Sequence, residues 1–240
     1  TKLLNHLIQR VEHTELVERI VTSTKNKDYN QISLKTLQIL QTWFSSSFPI
    51  GSYSYSHGIE AMIDDKIILR SSDVLDFIEG SIFHGTCKND FILIKLTYEG
   101  FDLNDFSLAL SASKERKLET QYMGNAFRKV LGESWGFELP KDTSFPIGIA
   151  KAGINFNIPL YQLSLFYMQS FVSNLINICV KHIPLGQKAG QDCILKSMTM
   201  IEKFMEKAND YTIEDIGSLT YFSDLYSIKH ENLITRVYST

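Results

Sequence analysis

The chain has 240 residues, 44% of them hydrophobic and 12% aromatic, which suits one large or two small domains with a substantial core and excludes a disordered protein. A formal net charge of −3 gives no electrostatic footprint for nucleic acid. Cys87, Cys179 and Cys193, sparse and odd in number, argue against a disulfide framework and point to a reducing, cytoplasmic compartment.

Residues 2–21 carry Leu3, Leu4, Leu7, Ile8, Val11, Val17, Ile20 and Val21 at mainly helical spacing, which predicts an amphipathic helix. The polar stretch 23–33 lacks apolar periodicity and reads as a linker, so residues 1–33 form an N-terminal extension and the main domain begins at Leu34. No signal-peptide pattern opens the sequence, although its first residue is Thr. Helices are predicted over 34–45, 72–98, 105–131, 145–156, 160–183, 189–208 and 213–222, with a Gly/Ser/aromatic loop at 48–58 and Asp73 and Asp76 in the first turn of the second helix. Sustained two-residue alternation is missing, which makes the fold class all-α, a single multi-helix bundle over 34–240.

The uncharged run 152–180 is the one candidate membrane span, and Asn155, Asn157, Gln162, Gln169 and Asn177 within it argue against that use. Ser170, Ser173, Asn174, Asn177 and Lys181 recur at three- and four-residue steps, placing one polar stripe on an otherwise apolar helix. Such a stripe bonds neighbouring helices or faces a passage or partner.

Catalytic patterns are missing. The segment from Gly51 to Gly58 has two glycines but neither the spacing nor the Lys of a phosphate cradle, and GxSxG and HExxH are not found. His84 and Cys87 stand three residues apart, a spacing transition-metal ligands use, but no third ligand follows at a motif-like distance. His57, His84 and His182 therefore read first as structural histidines.

Three blocks carry a resemblance. The string FPIGSYSYSHGIE at 48–60 resembles an FPxG(S/A)(Y/F)xxSxGLE pattern, SNLINICVKHIPLGQKAGQ at 173–191 resembles SNLVxxxVxxxPLGQxxGQ, and KHENLITRVYS at 229–239 resembles (H/M)HExLxSRLFxS. These are blocks of the urease accessory protein UreF family, and MGNAF at 123–127 is a weaker fourth match. Thr235 replaces the usual Ser, and Lys117 the usual Arg, which removes a planar fork for a carboxylate at that position.

The resemblance implies a non-enzymatic scaffold that homodimerises, pairs with UreD (also called UreH), recruits the GTPase UreG and helps pass nickel to apo-urease, holding no cofactor stably itself. Partner contacts are expected from the matched blocks, at Tyr53, His57, Glu60, Lys181, Gln187, Gln191, His230, Glu231, Arg236 and Tyr238. The tail is expected to be mobile until a partner anchors it. The rival reading is a direct nickel-binding metallochaperone using His84 and Cys87 with His57 or His230.

Overall fold

A computed structural model of the chain describes residues 32–217, 221–231, 233 and 236–239. The predicted helix at 2–21 and the linker up to residue 31 lie outside the described residues. The chain divides into two compact units, Thr1–Ile39 and Leu40–Thr240.

The described helices run α1 (Leu34–Trp43), α2 (Ile59–Asp64), α3 (Ser71–His84), α4 (Thr86–Tyr98), α5 (Asn104–Ala109), α6 (Lys114–Val130), α7 (Phe145–Asn155), α8 (Leu160–His182), α9 (Gly186–Glu206) and α10 (Tyr221–His230). Short 3₁₀ turns join some of them, and no strand occurs among the described residues. The fold is all-α. In the first unit the described residues open α1, where the Ser33 hydroxyl accepts from Thr36 N at 3.0 Å and satisfies a donor that the first helical turn leaves unbonded.

Within the second unit, two predicted helices are each divided, for local reasons. The helix expected over 72–98 breaks at Gly85, whose backbone (φ −125°, ψ −149°) ends α3 and starts α4. That expected over 105–131 breaks before Ser113, whose hydroxyl accepts from Arg116 N at 3.1 Å and so caps a new helix, α6. The start of α3 is fixed as the sequence suggested. Asp73 accepts from Leu69 N and Arg70 N, both at 3.0 Å, and those bonds hold its carboxyl at about 2. At 213–215 the Thr212–Asp215 capping box starts only a 3₁₀ turn, and the last helix begins at Tyr221.

The core joins α3, α4, α8 and α9 through Ile78, Ile82, Phe91, Met168, Leu175 and Phe204, all 2% exposed or less. Phe91 and Phe204 meet edge-on with ring centroids 5.2 Å apart. Gly124 of α6 lies so close to the start of α7 that a Cβ there would sit 1.9 Å from the Thr143 carbonyl oxygen. Helix α8 is long and apolar enough to cross a membrane by length and composition alone, yet half of its most apolar window is buried in the fold. Its polar stripe divides between an internal bond and an open groove. Asn174 Nδ2 donates to Ser52 O at 2.8 Å, while Ser173 and Asn177 line an open groove of about 490 Å³ with Tyr53, Met198 and Glu202.

Candidate functional site: the C-terminal clasp

The loop between α1 and α2 turns twice through left-handed backbone, at Gly51 (φ 73°) and at the pair His57 (φ 54°) and Gly58 (φ 80°). Phe48 and Tyr55 point inward to 7% and 9% exposure, and Tyr53 points outward at 63%. The aromatics of this block therefore divide between core and surface. Gly58 also admits a neighbour, because a Cβ there would lie 2.8 Å from Ser227 N, so α10 crosses directly over the start of α2.

That crossing brings the chain terminus onto the domain. His230, the last residue of α10, is fully buried between two carboxylates: its Nε2 lies 3.0 Å from Glu60 Oε2, and its Nδ1 lies 2.9 Å from Glu115 Oε2. Each ring nitrogen therefore faces its own carboxylate. Glu60 also accepts from Val237 N at 2.7 Å and Tyr238 N at 3.0 Å. Burial alone would raise the Glu60 carboxyl, but the His230 bond and the two backbone donors outweigh it and hold it below its usual value.

Arg236 Nη1 donates to Glu115 Oε1 at 2.6 Å with its side chain 46% exposed, and Glu231 Oε1 accepts from Lys114 N at 3.0 Å at the start of α6. An acidic side chain at that end complements the helix dipole. Ser239 N donates to Ser54 O at 2.7 Å, and Tyr238 packs against His182 with ring centroids 5.2 Å apart. Within this chain, Glu60, Glu115 and Ser54 contact the tail.

Beneath the clasp lies a second ion cluster. Arg116 pairs with Glu119, whose Oε1 lies 3.1 Å from His57 Nε2, and Tyr167 donates to Asp90 Oδ2 at 2.7 Å. Burial would raise Glu119, but the Arg116 charge and the His57 bond hold it at about 2. Burial raises Asp90 to about 6 and lowers His57, whose Nε2 also lies 3.3 Å from Arg116 Nη1. An arginine does pair with a carboxylate one residue before Lys117, through Arg116 Nη1 and Glu119.

Of the predicted contact residues, Glu60, His230, Glu231, Arg236 and Tyr238 meet in the clasp, with Tyr53 next to its Ser54 bond. His57 belongs to the inner cluster, and Lys181 is exposed one residue before His182. Gln187 and Gln191 are exposed on the first turns of α9 and take no part in the clasp. Sequence reasoning missed Glu115, Arg116, Glu119, Asp90 and Tyr167. A charged triplet just after Ser113 looks like an ordinary solvated helix start, and only the fold turns part of it inward.

The His84–Cys87 pairing is corrected. His84 is exposed at the end of α3, whereas Cys87 lies across the Gly85 break at 0% exposure, where burial pushes its thiol well above its usual range and disfavours the thiolate a metal needs. No group of three His, Cys, Asp or Glu side chains placed to hold a metal occurs among the described residues.

Fold and site together define an all-helical domain whose charged side chains fasten its own C-terminal strap and leave an arginine partly exposed. A UreF family profile matches residues 68–198, and the chain belongs to the UreF family of urease accessory proteins. A "Urease accessory protein UreF" of Cereibacter sphaeroides is 30% identical over 209 residues, 86% of this chain and 99% of the relative. One from Ruegeria pomeroyi is 28% identical over 86% of this chain and 97% of its own length, and a "Urease accessory protein UreF 1" of Brucella canis is 29% identical over 83% and 92%.

Proposed function

We propose that this chain is a cytoplasmic, non-catalytic scaffold that homodimerises, binds UreD/UreH and recruits the GTPase UreG, so that the assembly passes nickel to apo-urease. Nickel is cargo of that assembly, and the phosphate chemistry belongs to the GTPase. The observation that carries this reading is the clasp, which fixes the backbone on both sides of Arg236 through His230 and through Val237 and Tyr238, while the guanidinium stays 46% exposed. A pre-ordered arginine at a surface loses little side-chain entropy on docking and offers a fork of donors to a partner carboxylate. Tyr53, at 63% exposure on the loop that holds the tail end, supplies an aromatic anchor next to it.

Arg236→Ala tests this. The expected outcome is a GTPase titration of the UreD/UreH-bound chain weakened by roughly tenfold or more, with unchanged thermal unfolding of the chain alone, since the residue contacts one carboxylate at the rim. Unaltered recruitment removes Arg236 from the docking surface.

A further inference from the structure

We infer that the buried cluster of Arg116, Glu119 and His57 is a positioning device for the C-terminal clasp, setting whether the strap that carries Arg236 is held or released. The importance of that strap rests on the proposed docking role; the coupling itself is a property of this chain alone.

The inference comes from how two short segments interleave. Residues 57–60 contribute His57 to the inner cluster and Glu60 to the outer clasp. Residues 115–119 contribute Arg116 and Glu119 to the inner cluster and Glu115 to the clasp. Both carboxylates that grip His230 therefore sit three residues or fewer from a side chain fixed in the interior. Neither segment can shift without carrying one jaw of the clasp with it.

The geometry makes the clasp sensitive to small shifts. A side-chain tip lies roughly 5–6 Å from its helix axis, so a turn of α6 by roughly 20° displaces the Glu115 carboxylate by about 2 Å. Its bonds to His230 at 2.9 Å and Arg236 at 2.6 Å do not survive such a movement. The inner cluster opposes that turn, because Arg116 and Glu119 pair within the helix and are tied through His57 to the loop that opens α2. On the other jaw, His57 stands at φ 54° immediately before Gly58, and its Nε2, 3.1 Å from Glu119 and 3.3 Å from Arg116 Nη1, ties the inner cluster to a left-handed turn that feeds directly into Glu60.

The test is backbone amide exchange, followed by NMR on the full chain without partners, in Glu119→Gln and in two replacements of His57. Glu119→Gln is expected to speed exchange at Val237, Tyr238 and Ser239 by about tenfold or more while α9 amides keep their wild-type rates. The His230 ring signals are expected to broaden in the same variant, since both ring nitrogens face carboxylates of the clasp. His57→Gln carries its amide out to where Nε2 sits and can still bond Glu119, whereas His57→Ala has no donor, and both meet the same positive φ. Gln is expected to preserve tail protection and Ala to lose it.

Tail exchange that is unchanged, or that rises equally in α9 and the tail, overturns the positioning role and leaves the cluster as general stabilisation. Should Glu119→Gln fail to fold, equal tail rates in the two His57 variants overturn it independently. Because no partner is present, failure here does not bear on GTPase recruitment, and a negative result for Arg236→Ala does not bear on this coupling.

Discussion

Replacing Glu60 with Gln removes one formal charge and almost no volume, which isolates the chemistry of the clasp from its packing. Glu60 accepts Val237 N on Oε1, and His230 Nε2 and Tyr238 N on Oε2. Gln keeps one oxygen. Turned toward His230 and Tyr238 it retains those two bonds and sets its amide nitrogen against Val237 N, so one bond is replaced by a donor–donor contact. A hydrogen bond to a charged group contributes about 1.5–3 kcal/mol, and the site is part-buried, so about 2 kcal/mol of strap docking is lost. At about 1.4 kcal/mol per decade this raises the open population about 30-fold. Amide exchange at Tyr238 and Ser239 reads that population directly, with α9 amides as internal reference. Tail exchange within about twofold of wild type would show that Glu60 does not hold the strap, whatever its distances.

Glu119 governs the acid limb of stability. Its folded-state carboxyl is held at about 2 against a usual 4.5, so the stability it confers is complete above 4.5 and disappears as pH falls from 4.5 toward 2, on the order of 3 kcal/mol. Urea melts across that window should show this loss in the wild type and a flatter profile in Glu119→Gln. Gly124→Ala forces a Cβ against the Thr143 carbonyl and should cost about 3 kcal/mol or more, lowering Tm by about 6–12 °C; an unchanged melt would mean that α6 and α7 separate freely. His84→Ala should leave nickel binding, measured by calorimetry, as it is in the wild type, and a clear loss would revive the direct-binding reading.

How much of this was legible in the sequence depended on the range of the interaction involved. Helix existence followed from apolar periodicity, and α8 was placed almost to the residue because Pro159 and Pro184 bracket it. The breaks at Gly85 and Ser113 were missed because the apolar pattern continues through both, and the cap of α6 becomes evident only once Ser113 meets Arg116 N. The tail residues were flagged, but their partners lie 56 to 178 positions away, a distance no local pattern spans. Arg116 and Glu119 look like a solvated i,i+3 pair; their burial follows from α6 packing between α7 and the returning α10.

The most direct measurement is size-exclusion chromatography with light scattering on the chain alone, with UreD/UreH, and with both UreD/UreH and GDP-loaded UreG. A dimer that grows stepwise with each partner is the predicted result. A monomer indifferent to both would contradict the scaffold role.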